Sequence, residues 1–138
     1  MAPSPVQLEE LDTLEWNNEQ LHQAYKITWQ KYYVGKIGFD LASVHWHPAD
    51  QGTGHRRGLE SLSGLFYSLQ ADMRHARNEY TLHAWMLERK MAQYRAWDRY
   101  DAFRQAQAQR QGQWQEMRQL EKQRRVHAIE VVREARGE

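Results

Sequence analysis

The feature that most constrains this chain is a seam of residues at helical spacing between Leu59 and Asp101. Successive members lie three or four residues apart without a slip, and no Pro interrupts them. This spacing predicts a long amphipathic central helix over 59–111 that packs on other helices. The seam consists of Leu59, Leu62, Phe66, Leu69, Met73, Ala76, Tyr80, His83, Leu87, Lys90, Tyr94, Trp97 and Asp101.

The length of this predicted helix bears on the shape of the fold. At about 1.5 Å per residue, the seam alone spans about 65 Å. A compact globule of 138 residues has a diameter near about 37 Å, so an unbroken helix would project from it. The aromatic seam would then need cover from other segments or from a partner chain.

The N-terminal residues predict the start of a helix. Ser4 is the predicted N-cap, Pro5 the first helical residue, and Gln7 completes a capping box. An apolar stripe continues this helix to about residue 33, and we expect the glycines Gly35 and Gly38 to end it. The N-terminal helix therefore accounts for residues 1–34.

Two further segments complete the predicted organisation. Residues 35–58 contain Gly, Pro and several aromatics, and they are predicted to form an irregular connector that packs on the helices. Residues 112–138 are predicted to form a helical extension, either continuous with the central helix or turned back at Gly112. The predicted fold is all-α and elongated: a helical hairpin or coiled-coil-like arrangement around one very long helix, in one structural unit.

Composition excludes several function classes. The chain has no Cys, so thiolate catalysis, disulfides and Cys-based metal sites are excluded. The net charge of +1 gives no general attraction to nucleic acid or anionic membrane. No apolar run is long enough to span a bilayer, and the N-terminal residues resemble neither a secretory signal nor an organelle presequence. We expect a soluble or peripheral intracellular protein of the cytoplasm or an organelle interior such as the mitochondrion.

No catalytic motif is visible: there is no nucleophile elbow, P-loop or H-E-x-x-H zinc motif. The leading hypothesis is therefore a non-enzymatic structural or accessory subunit of a larger multiprotein assembly, without a cofactor. Its partners would be other protein subunits or further copies of itself, packed on helix faces with Trp and Tyr as anchors. The predicted partner-binding residues are Tyr80, Leu87, Tyr94, Trp97, Trp114 and Met117.

Two alternative functions rest on polar residues. A nucleic-acid-binding helical module would use basic residues of the connector and the C-terminal tail. A small metal- or anion-binding protein would use the connector segment 45–57, where His45 and His47 are candidate ligands of a divalent ion. The sequence offers no fourth ligand, and no metal is predicted. The candidate anion or nucleic-acid contacts are His55, Arg56, Arg57, Arg124 and Arg125.

Overall fold

The computed structural model describes residues 2–45 and 53–137, and the side-chain surroundings of residues 2–41 and 61–137. These ranges contain three α-helices: α1 (Pro5–His45), α2 (Thr53–Gln93) and α3 (Trp97–Ala135). No strand occurs in the described residues, which confirms the predicted all-α class.

The first turn of α1 has the predicted capping box. The backbone N–H of Gln7 donates to Ser4 Oγ at 3.2 Å, and the N–H of Ser4 donates to Gln7 Oε1 at 3.0 Å. Two N–H groups that the helix leaves without an intrahelical acceptor are thus bonded reciprocally.

The predicted end of the N-terminal helix at Gly35 and Gly38 is wrong, because α1 continues to His45. Residues 35–45 of the predicted irregular connector are therefore helical, as are residues 53–58 at the start of α2. At Gly35 a methyl carbon of Leu69 lies 2.5 Å from the place that a Cβ would occupy. The glycine here permits close approach of another helix. The remaining connector residues, 46–52, lie outside the described part of the chain.

The predicted central helix over 59–111 is interrupted after Gln93. Arg95 has a φ of 58°, its N–H donates to the Ala92 carbonyl at 3.1 Å, and the N–H of Ala96 donates to the Met91 carbonyl at 2.9 Å. This pair of bonds is the Schellman motif that commonly ends helices. The left-handed position normally holds Gly, and the Arg here conceals the turn from sequence reading.

The third helix begins at once, since the N–H of Tyr100 donates to the Ala96 carbonyl at 2.9 Å. It runs through Gly112 without a break and ends at Ala135. Of the two arrangements considered for the C-terminal segment, a turn at Gly112 is excluded. The segment 112–135 continues α3 and not the predicted central helix, which ends at Gln93.

The chain divides into two compact units. Unit 1 comprises Met1–Ile27 and Arg74–Gln115, and unit 2 comprises Thr28–Met73 and Glu116–Glu138. Each unit contains segments of all three helices, so each is built by helix packing.

Unit 1 is centred on Leu11 of α1 and on Leu87 and Met91 of α2, which are completely buried. Ala96, from the turn after α2, is buried in the same cluster. Half-buried neighbours complete this core: Leu14, Tyr94, Tyr100 and Phe103. The seam residues Leu87 and Tyr94 thus pack against α1 and α3 of the same chain.

Unit 2 combines aromatic packing with ion pairs. The ring of Phe66 in α2 stacks on Phe39 at a centroid distance of 5.1 Å and contacts Tyr32 at 5.7 Å. Lys36 pairs with the buried carboxylate of Glu121 at 3.1 Å. Within the described residues, no helix is long and apolar enough to cross a membrane.

Candidate protein-binding surface

The structure places most of the predicted partner-binding residues inside the protein. Tyr80, Leu87 and Trp114 are buried in unit 1. Tyr94 is half-buried, and its hydroxyl donates to Glu10 Oε2 at 2.5 Å. These side chains therefore make contacts within the chain, whereas the sequence analysis predicted that they contact a partner.

Two predicted anchors in α3 have other surroundings. Trp97, the first residue of the helix, is 53% exposed, and it lines an open depression together with Pro3, Leu8 and Asp98. Met117 is half-buried. Of the six predicted anchors, Trp97 is the one that the structure leaves largely open to solvent.

Tyr80 is the centre of a buried polar cluster in unit 1. Its hydroxyl donates to Gln107 Oε1 and accepts a hydrogen bond from Arg110 Nη1 at 3.1 Å. The guanidinium of Arg110 also pairs with Glu19 of α1. This network links all three helices through polar contacts within unit 1.

His22 lies against this cluster and is only 6% exposed. Its ring centroid is 5.2 Å from that of Tyr80 and 6.1 Å from that of Trp114. Burial and, to a lesser extent, the positive charge of Arg110 lower the pKa of His22 to about 4. The imidazole is consequently neutral near pH 7.

A second buried contact between α1 and α2 involves Asn18 and His83. Asn18 is buried, and its Nδ2 lies 3.1 Å from His83 Nδ1. Burial also lowers the pKa of His83. Two polar members of the seam thus have partners inside unit 1: His83 bonds Asn18, and Lys90 pairs with Glu10.

The surface of α2 in unit 1 carries a different set of residues. Leu82 is 68% exposed and Trp85 is 57% exposed. The guanidinium of Arg89 lies 4.7 Å from the Trp85 ring centroid, a cation–π contact that orders both side chains. The outward face of α2, all of it exposed, is His75, Asn78, Leu82, Trp85, Arg89 and Gln93.

Helix α1 has a comparable outward face. Trp16 is 64% exposed, and Val6 and Ile27 are also exposed on either side of it along the helix. The acids Glu9 and Asp12 lie one to two turns before Trp16. The outward face of α1 is Val6, Glu9, Thr13, Trp16, Gln20, Gln23 and Ile27.

In α3 the outward face of unit 1 begins with one large apolar residue, Trp97, which is exposed. After Trp97 the face consists of acids, glutamines and small residues, as expected for a helix face in contact with water. These further residues of the outward face of α3 are Asp98, Asp101, Gln105, Ala108, Gly112 and Gln115.

Sequence reasoning missed Trp16, Leu82, Trp85 and Arg89. These residues lie off the buried stripes, so a search for one seam per helix passes over them. The available signal was a second helical spacing in α2, at 82, 85 and 89, which contains a Leu, a Trp and an Arg. Such a set is typical of protein-binding surfaces.

The residues of the two alternative functions are only partly described. Arg124 is exposed, and Arg125 pairs with Asp40 at 3.5 Å in unit 2. The segment with His55, Arg56 and Arg57 lies in α2, where the side chains are not described. His45 is the last residue of α1, and His47 is outside the described residues. In the described part of the chain, no group of three His, Asp or Glu side chains could hold a metal ion.

Together these observations define an all-α chain with a network of hydrogen bonds and ion pairs inside unit 1 and with an exposed tryptophan on each of the three described helices. Comparison with protein-family models, with curated proteins and with solved structures finds no match to this chain.

Proposed function

We propose that the protein is a non-enzymatic structural or accessory subunit of a larger protein assembly, and that it binds its partners on the outward faces of α1 and α2. The observation that carries this proposal is the exposure of Trp16 and Trp85, each more than half open to solvent. Within unit 1 both side chains extend from helices whose opposite faces are packed in the core.

Physical chemistry explains why these two residues indicate a binding surface. Burying a large apolar side chain contributes about 1.5–3 kcal/mol, so a partner that covers an exposed Trp gains a comparable amount of binding free energy. Trp and Arg are also the residues most enriched where binding energy is concentrated. Arg89 holds the ring of Trp85 in place, which reduces the entropy lost when a partner covers it.

The non-enzymatic part of the proposal is supported by the surroundings of the polar side chains. His22, the most strongly perturbed titratable group described, is buried against Tyr80 and Trp114. Arg110 is bonded to Tyr80 and Glu19 of the same chain. Both side chains are thus placed against other residues of unit 1, His22 by ring contacts and Arg110 by polar bonds.

The test is affinity purification of the tagged full-length chain from its own source, with and without nuclease, read by mass spectrometry. We expect a reproducible set of protein partners that survives nuclease. The variant Trp85→Ala should lose a large part of this set, while Gln105→Ala, on the outward face of α3, should retain it.

Two results would overturn the proposal. Partners that disappear with nuclease would assign the chain to nucleic-acid binding. A set of partners equally retained by Trp85→Ala, Trp16→Ala and the double variant would show that these faces do not carry the binding. Circular dichroism and thermal melting of each variant establish that the helices are intact.

A further inference from the structure

The outward faces of α1 and α2 differ in charge. Beside Trp16, the α1 face carries Glu9, with Asp12 adjacent to it. Beside Trp85, the α2 face carries Arg89. The charged residue that accompanies the tryptophan is thus an acid on the α1 face and a base on the α2 face.

Neither key charge is neutralised within the described residues. Asp12 is held by Arg99 at 2.6 Å. By contrast, no ion pair that the described residues form involves Glu9 or Arg89. The carboxylate and the guanidinium are therefore available for a partner, and each has the sign that the other face requires.

We propose that the partner of the α2 outward face is the α1 outward face of a second copy of this chain, packed antiparallel so that Glu9 meets Arg89 and Trp16 meets Leu82. This inference rests on the proposed function and names one partner within it. The reciprocal contact, α2 of the second copy on α1 of the first, gives a two-fold symmetric pair.

The spacing of the two faces supports this register. Glu9 and Trp16 are seven residues apart, as are Arg89 and Leu82, and seven helical residues span about 10 Å. In an antiparallel pair, Trp16 therefore faces Leu82 whenever Glu9 faces Arg89. The same direction is already used inside unit 1, where Glu10 pairs with Lys90 and Asn18 bonds His83.

The size of the interface is also adequate. Val6 and Ile27 are separated by about 30 Å of helix, and a helix contact is about 10 Å wide. Two symmetric contacts would bury roughly 1,200 Å² in total, the lower end of the range for specific protein interfaces. The copies should therefore associate with moderate affinity and exchange readily.

Sedimentation velocity of the full-length chain at low ionic strength tests the proposal. We expect the wild-type chain to be dimeric at about 100 µM. Glu9→Arg and Arg89→Glu should each weaken the dimer about tenfold, because each disrupts two symmetric charge pairs. The double variant, which exchanges the two charges, should recover most of the wild-type affinity.

Asp101→Arg is the matched control, since it reverses a charge on the outward face of α3 and should leave the dimer unchanged. A wild-type chain that is monomeric at about 100 µM would overturn the inference, as would a dimer whose affinity ignores both single reversals. In either case a Trp85-dependent set of partners in the affinity purification would leave the proposed function standing. If the purified partners do not depend on Trp85 but the dimer remains sensitive to the charge reversals, the inference of a second copy stands and the proposal of other partners on this face is rejected.

Discussion

Helices α2 and α3 of unit 1 bury similar residues and expose different ones. Both contribute to one interior, α2 through Leu87 and Met91 and α3 through Phe103 and Trp114. On the outside, α3 presents Trp97 in its first turn and then acids, glutamines and small residues, while α2 presents Leu82 and Trp85.

The difference between these two exposed faces shows which surface residues the packing of unit 1 requires and which it does not. The α3 face after Trp97 shows that a helix of this unit can pack with a polar exterior. The apolar exterior of α2 is therefore not a requirement of packing. It adds a surface that water solvates poorly, which is the property expected of a face that another protein covers.

The largest effect is expected inside the unit. Leu87→Ala removes a fully buried side chain and should lower the free energy of unfolding by about 2–5 kcal/mol. Urea denaturation followed by circular dichroism measures this loss. A cost below about 1 kcal/mol would mean that α2 does not pack through this face.

Protonation of His22 should weaken the same interior. Its pKa is about 4 in the folded chain against an ordinary 6.5, so folding favours the neutral ring. The contribution to stability is complete above pH 6.5 and is lost as the pH falls from 6.5 toward 4, in total about 3 kcal/mol. His22→Phe cannot be protonated. The difference in unfolding free energy between wild type and variant is measured at pH 7.5 and at pH 4.5, and its change with pH isolates the contribution of His22. The same difference at both pH values would contradict the prediction.

On the exterior of α2, Trp85→Ala should weaken partner binding by about 2 kcal/mol or more, the usual cost of losing a central aromatic contact. The free energy of unfolding should change by less than about 1 kcal/mol, since the ring is exposed. Binding and denaturation measured on the same preparation separate the two quantities. A loss of stability as large as that of Leu87→Ala would assign Trp85 to the core.

The smallest effect is expected from glycine substitutions. Gly112→Ala, on the outward face of α3, has open space around the new methyl group and should raise the free energy of unfolding by about 0.5–1 kcal/mol without affecting binding. Gly35→Ala should not show this gain, because the Leu69 side chain must move aside. Thermal melting compares the two variants. Equal stabilisation by both would show that Leu69 does not pack tightly against Gly35.

The sequence allowed correct prediction of the all-α class and of the Ser4–Gln7 capping box, because both depend on local spacing. It failed where a tertiary contact reverses a local preference. Gly35 lies within α1 where Leu69 approaches it closely, and Arg95 adopts a conformation typical of Gly while Met91 and Ala96 are buried around it.

Most of the predicted partner-binding residues lie inside the chain for a related reason. A seam at helical spacing marks burial, but it cannot show whether the burial occurs within the chain or against a partner. Tyr80 and Trp114 satisfy the spacing, and their contacts are internal. Trp85 indicates a binding surface only once the structure shows that the core of unit 1 forms without it.

The central claim, that the outward face of α2 is covered in the functional state and that of α3 is not, can be tested by thiol labelling. The chain has no Cys, so Leu82→Cys and Gln105→Cys each introduce a single reporter. Both variants should be labelled rapidly in the dilute isolated chain. In the native assembly we predict that labelling slows at least about tenfold at position 82 and stays unchanged at position 105. Equal labelling rates at the two positions in the assembly would contradict the account.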